Sequence, residues 1–545
     1  MPSDLTLPTK ACHNCRKRRW KCDRSLPACH KCTSSGTECL GYGKLFVWNK
    51  GVASRGKMMG KSYEERLNAP QVSAGRQDVD VHMEVAHRDN VYDFGNQQPE
   101  EVEDVEDVED VEDVVHWSLV DPLVKDLNQH SRYYIYHFAT QICEDLVIYD
   151  GPGQNPIRDL IPATTAYPSL LQIILANSAF HVFNITRDPA GRSPYQKEQK
   201  PCLLAYYQGV SRFGGPMKTS YADALLAKQQ ALSLLAQSVA SVNKSNIDLI
   251  LVVILLFINY ALIESGQDKW KVHMEGARKL INLLGTSPYT QEPMSKLRLS
   301  VLADFLVFYI LGSTFCFATT PKLIPDEIEL EPILRYAETN NYLSCPSPLV
   351  RIMLESFELE DTRTSSSDEL AADVQDGVAI LLRAALNFDP IDWSLNFEPA
   401  SLSENLEHRM RIAAAHRAAV CIYLARVLPC TNPLLDPSSP SALVSLTGLA
   451  DEIIHHISFL KPGDVLFKSI SWPLFLAGAE AENPAQRTWI MNTLDDFYNM
   501  MYWGYIRTVK KVLETIWDCK DKAAEGADNC WVDEVKIMGT ELLIA

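Results

Sequence analysis

From residue 117 onward the apolar positions recur at helical spacing. Ile135, Phe138, Ala139, Ile142, Cys143, Leu146 and Val147 line one face of an amphipathic helix. Trp270, His273, Met274, Ala277, Ile281 and Leu284 repeat that pattern, and Leu494, Phe497, Met501, Tyr505, Val512 and Ile516 predict a long helix near the C-terminus. The longest unbroken apolar run is Leu249 to Ile258; extended to Ile263 it gives 15 residues between Asp248 and Glu264. That is short of the ~18–20 a bilayer span needs, so it predicts a buried core helix, and no membrane partner is expected. Alternating strand patterns are scarce, while Pro429 to Pro440 and Thr362 to Asp368 are expected surface loops. Residues 117–545 are therefore expected to fold as one large all-helical domain, long enough to bury most of their apolar surface.

The pattern fails before residue 117. Residues 40–115 carry no sustained apolar heptad, so a coiled coil is not expected there. Between Val102 and Asp113 four Val-Glu-Asp triplets follow one another. Valines three apart drift by about −60° per step around a helix and alternate faces in a strand, so neither structure can bury them. Like-charge repulsion extends such a chain, and the strip is expected to be a disordered spacer, an activation segment or an electrostatic mimic of DNA. Gly51-x4-Gly56-Lys57 meets the first part of a phosphate-loop pattern, but Met58 stands where Ser or Thr would hold Mg²⁺. Nucleotide binding is not expected.

Charge changes the picture. The 545 residues carry a net charge of −18, with 46% hydrophobic and 22% charged residues. That composition excludes a wholly disordered chain, and the total argues against a nucleic-acid partner. Resolved along the chain, it argues the opposite. Residues 1–61 hold 13 Lys+Arg against three acids, whereas 62–115 hold three basic residues against 17 acidic ones. A basic head joined to an acidic segment is the asymmetry expected of a nucleic-acid reader. Met1 to Lys21 has no apolar h-region and does not read as a secretory signal, so the cysteines are expected to be thiols or metal ligands.

Six of the 14 cysteines crowd into the head: Cys12, Cys15, Cys22, Cys29, Cys32 and Cys39. Two Cys-x2-Cys pairs, each followed by a third cysteine after six residues, duplicate one ligand unit. Zn²⁺ prefers four thiolate or imidazole ligands in a tetrahedron. Six sulfurs complete two tetrahedra only if two of them bridge both metals, which predicts two Zn²⁺ per chain. Between Cys15 and Cys22 run Arg16, Lys17, Arg18, Arg19, Trp20 and Lys21, five cations in six residues. That stretch is short enough for about two helical turns, with phosphate contacts on its flanks and a base-reading residue at its tip. Arginine's planar fork suits the O6/N7 edge of guanine in the major groove.

With those residues in place, Cys12 to Cys39 resembles the Zn(II)2Cys6 binuclear-cluster DNA-binding domain of fungal transcription regulators. The resemblance implies that Cys12 and Cys29 bridge the two metals and that Cys15, Cys22, Cys32 and Cys39 are terminal. It places the base-reading pair on Arg18 and Arg19, makes Pro27 the proline between the half-clusters, and implies CGG-like target triplets, often in paired half-sites. Arg19 stands where many members have lysine. Residues 40–57 are similar to the linker of a subgroup of these regulators. The body is similar to the fungal-specific transcription factor domain through Asn155-Pro156-Ile157-Arg158, Leu170-Leu171 with Ala179-Phe180-His181, Trp270-x2-His273-x2-Gly276-Ala277, and Trp472 to Gly478. That likeness implies a helical regulatory domain.

No His-Glu-x2-His, Gly-x-Ser-x-Gly or dinucleotide glycine fingerprint occurs, and no enzyme is expected. His273 is expected in the core, and the eight cysteines outside the head as buried thiols. The whole reads as a mainly α chain: a Zn2Cys6 DNA-binding module (1–45), a linker with a disordered acidic strip (46–116) and a large all-helical regulatory domain (117–545). It is expected to be a nuclear, sequence-specific regulator of RNA polymerase II transcription. Double-stranded DNA and the transcription machinery or co-regulators are the expected partners, and a homodimer without an evident coiled coil stays open. The alternatives are a zinc-folded interaction protein binding protein or nucleic acid non-specifically, and an enzyme with a basic targeting head.

Overall fold

The computed structural model describes residues 10–25, 28–36 and 39 near the N-terminus. Further on it describes 125–187, 219–286, 294–314, 322–362, 368–428, 432–522 and a C-terminal remnant ending at Ala545, apart from a few isolated positions. Pro27, the 46–116 linker with its acidic strip, and most of the Thr362 to Asp368 loop lie outside the described residues. The chain divides into two units, Met1–Asp113 and Val114–Ala545.

Among the described residues of the first unit, the regular structure is two one-turn helices, α1 (His13–Lys17) and α2 (His30–Ser34). The longer helices of the body are α3 (Gln129–His137), α4 (Pro168–Arg187), α5 (Ser220–Val239), α6 (Ile247–Glu264), α7 (Trp270–Leu284), α8 (Lys296–Ser313), α9 (Leu330–Asn340), α10 (Ser347–Thr362), α11 (Asp368–Asn387), α12 (Leu406–Val427), α13 (Leu446–Ile457), α14 (Ser471–Glu480), α15 (Pro484–Met501) and α16 (Tyr505–Lys522), joined by turns and shorter helical pieces. In place of strands, the described residues form two isolated bridges, Val147 with Asn341 and Gln267 with Leu542.

Helix starts follow from local chemistry. Asn155, Asp389 and Asn483 each cap a helix with a side-chain oxygen and are each followed by Pro at the first helical position. There the missing N–H costs nothing and the fixed φ is already helical. Helix α6 is the axis of the body. It is apolar all round, buried from Ile250 to Ile263, and packed by α4, α7 and α8. Helices α4 and α6 are both long and apolar enough to cross a membrane by length and composition, yet 67% and 89% of their apolar windows lie buried against neighbours. That is the burial of core helices. Ala224, Ala227 and Ala231 face inward on α5 and let it approach α4 closely.

Two helices differ from the spacing-based expectation. The face from Ile135 to Val147 is not one α-helix: α3 passes into a π-helical turn, Phe138–Ile142, and a last α turn, Cys143–Leu146. The wider turn keeps Phe138, Ile142, Cys143 and Leu146 inward, and Val147 is extended, pairing with Asn341. The long C-terminal helix is broken between α15 and α16. Tyr502 takes a left-handed conformation (φ 55°), and the Gly504 N–H donates to the Ile263 carbonyl at 2.9 Å. A Cβ on Gly504 would lie 2.3 Å from the Glu264 carbonyl oxygen, so the chain can turn there only on glycine.

Several quoted body motifs prove to be structural. Asn155 and Pro156 start a helical turn in which Arg158 pairs with Asp150. Trp270 packs over Gly312, where a Cβ would come within 2.1 Å of its ring. His273 is partly buried and stacks on Phe257 (4.8 Å, 10°); burial, reinforced by Lys228, lowers its pKa to about 4. Cys143, Cys345 and Cys421 are buried as expected, but Cys519 is only partly so. Of the Pro429 to Pro440 segment, the described residues form exposed or half-exposed turns.

Candidate metal centre and nucleic-acid interface

The cysteine unit repeats one local device twice. Cys12 and Cys29 are extended residues capping α1 and α2, and each sulfur accepts a backbone N–H three residues on, from Cys15 and Cys32, both at 3.4 Å. Seven residues after each capping cysteine the chain turns left-handed, at Arg19 (φ 56°) and at Gly36 (φ 65°). The duplication seen in the spacing therefore extends to the backbone.

Four sulfurs meet at the centre. Cys12, Cys15, Cys29 and Cys32 are fully buried, with Sγ···Sγ separations of 3.5 Å (Cys12–Cys29), 3.6 Å (Cys12–Cys32), 3.7 Å (Cys15–Cys29) and 3.9 Å (Cys15–Cys32). A tetrahedron drawn with the Zn–S length of about 2.3 Å has edges of about 3.8 Å, so this donor set fits zinc. Cys22 receives the Cys12 N–H at 3.4 Å and lies close to Cys29, while Cys39 packs against the edge of the cluster. Burial raises the Cys12 thiol and pushes Cys15 up to about 12. Burial also works against the Cys22 thiolate, but backbone N–H groups of Cys12 and Arg24 outweigh it and bring Cys22 to about 7. Sulfurs packed this tightly become thiolates when a divalent cation takes up their charge.

The basic run is shaped differently from the expected two-turn helix. Helix α1 ends at Lys17, with Arg18 as its C-cap. The Trp20 N–H donates back to the Cys15 carbonyl at 2.8 Å and the Arg19 N–H to the Arg16 carbonyl at 3.4 Å. This pair of bonds closes a Schellman turn around the left-handed Arg19. Trp20 is thereby drawn onto the cysteine cluster, and the turn cannot continue as helix. Arg16 and Lys17 lie on α1, Arg18 and Arg19 on the turn, and Lys21 on the irregular segment leaving it; all five are exposed. Arg18 stacks over Trp20 at 4.9 Å, with Lys31 at 5.8 Å on the same ring.

Two residues of this site were not singled out in the sequence. Asp23 accepts the His30 N–H at 3.0 Å and the Lys31 N–H at 3.2 Å, tying the first half to the start of α2. Its bond from Ser25 and those two amides hold its carboxyl well below the usual range. Trp20 is the apolar plug of the turn. The only signal for either is position: an acid directly after the third cysteine, and a lone aromatic inside a cationic run.

Residues 132–545, well over half the chain, match the Fungal specific transcription factor domain. The chain belongs to that family. Residues 10–46 match the Fungal Zn(2)-Cys(6) binuclear cluster domain. A similar curated protein is the acriflavine sensitivity control protein acr-2 of Neurospora crassa, 29% identical over an alignment covering 98% of this chain and 97% of that one. No solved structure matches. The family member described here is a zinc-binding transcription regulator whose cluster domain takes two zinc ions. Both matched families are of transcription regulators rather than enzymes.

Proposed function

We propose that this regulator reads specific duplex sequences through its basic turn and works in the nucleus on RNA polymerase II genes. Cys12, Cys15, Cys22, Cys29, Cys32 and Cys39 hold the two Zn²⁺, with Cys12 and Cys29 shared. In support, Cys29 lies in the four-sulfur group and also close to Cys22 and the Asp23 carboxylate, and Cys22 accepts the Cys12 N–H. Arg16, Lys17 and Lys21 contact phosphates. Arg18 and Arg19 reach base edges in the major groove, favouring CGG-like triplets. The observation that carries this reading is Arg19: a long cationic side chain sits where the second half has glycine, in a conformation costing about 1 kcal/mol. Domain limits of 1–45, 46–116 and 117–545 follow, the body controlling output through co-regulators or a second copy.

The test is duplex binding by the full chain. Arg19→Ala is expected to cost ~1–3 kcal/mol at one base position, whereas Lys21→Ala weakens all sequences about equally. Uniform weakening by both would instead favour non-specific binding. A second reading concerns the genes controlled. The Neurospora crassa relative is named for control of acriflavine sensitivity, so the target genes here are proposed to include some that set tolerance to toxic compounds.

A further inference from the structure

Among the described residues of the body, one cavity joins an apolar floor to a charged rim. It opens between α8, the segment 322–330 and α10, with a volume of about 460 Å³. Its floor is apolar: Leu306, Ile324 and Leu354 surround an edge-to-face pair, Tyr309 and Phe357, with centroids 5.9 Å apart. The floor belongs to the main core, and its buried aromatic pair lines the cavity. The rim is acidic. Asp326 and Glu358 hold Lys322 between them at 2.6 and 3.7 Å, and Arg351 is held at 2.6 Å by Glu331, so both rim cations are already paired. Glu329 and Glu355 line the same opening and pair with no cation among the described residues.

We propose that this cavity binds a lipophilic organic cation, a flat aromatic or amphiphilic ammonium compound, as an effector of the regulator. The volume lies within the range of small-molecule sites. Apolar floor and aromatic edges take the ring system, and the Glu329 and Glu355 carboxylates at the mouth take its charge. An anion meets the same two carboxylates and is repelled. A neutral ring of equal shape receives the floor but not the rim. This site is separate from the DNA-reading assignment and does not depend on it.

The full chain, free of DNA because cationic dyes intercalate, is titrated with acriflavine and followed by dye anisotropy. Uncharged phenazine serves as the neutral three-ring comparison. One saturable site is expected, weakened about tenfold by Glu329→Gln with Glu355→Gln, with phenazine about tenfold weaker than acriflavine. The same neutralisation at Glu103 and Glu106 of the acidic strip should leave that site within twofold. The proposal is overturned by the absence of a saturable site, by equal binding of phenazine, or by equal weakening from the strip variants. Duplex binding by the unsubstituted chain is measured in parallel. Its presence where that chain shows no saturable dye site removes the effector site and leaves the DNA reading standing.

Discussion

At the centre of the cysteine unit stand four sulfurs 3.5–3.9 Å apart. At the centre of the body stands α6, with apolar side chains from Ile250 to Ile263 buried among other helices. The first unit has one aromatic, Trp20, packed on its cluster among the described residues, and two helices of a single turn each. Helices that short do not persist alone, so their geometry must come from whatever clamps the sulfurs. The body is held by burial spread over more than a hundred described residues. One unit concentrates its stability in metal bonds, the other distributes it, and the two should fail under different insults.

The body's most exposed weakness is its buried charge. Arg409 and Glu404 form an ion pair with both side chains fully buried, and Arg409 also donates to the Glu338 carbonyl at 3.1 Å. Arg409→Ala strands the carboxylate and should cost the body about 3–5 kcal/mol. Zinc content should stay unchanged. Calorimetry of the full chain together with metal analysis checks this, and loss of zinc would break the separation drawn between the units.

Next comes Asp304, whose carboxyl is pushed up to about 7 by burial, only partly offset by the Asn341 amide at 2.6 Å. Its folded pKa is raised, so the folded state binds more protons than the unfolded one between about pH 4 and 7. Stability is therefore lost as pH rises through that window and levels off above it. Because the residue is partly exposed, the loss should be about 2 kcal/mol, and Asp304→Asn should flatten it in denaturant melts at pH 5 and 7.5.

The smallest effect belongs to the cysteine unit. Arg19→Gly relieves the left-handed strain, and the unit should gain about 1 kcal/mol in resistance to chelation while losing base discrimination. A variant that stays as selective as the parent would show that Arg19 is only a turn residue.

Legibility also differed between the units. The cysteine spacing exposed the duplicated ligand set, because metal geometry depends on few residues at short range. It did not reveal that the basic helix stops at Lys17, since that depends on Trp20 finding the cluster and closing the turn. In the body, periodicity located α6 and α7 but missed the break at Tyr502 to Gly504. That break follows from the backbone of α6 coming within 2.9 Å, a contact between residues some 240 apart in sequence. Apolar spacing reports which face is buried and says nothing of what lies across from it. The acid rim around Tyr309 and Phe357 was equally silent, because it is assembled from two helices and the segment between them.

Zinc stoichiometry followed through chelation tests the central claim most directly. The full chain should carry two zinc ions, and removing them should abolish selective duplex binding, since structural zinc supplies about 10–16 kcal/mol of folding energy. The melting of the body should be unmoved. Selective binding that survives metal removal, or a body that melts with the metal, would contradict the account.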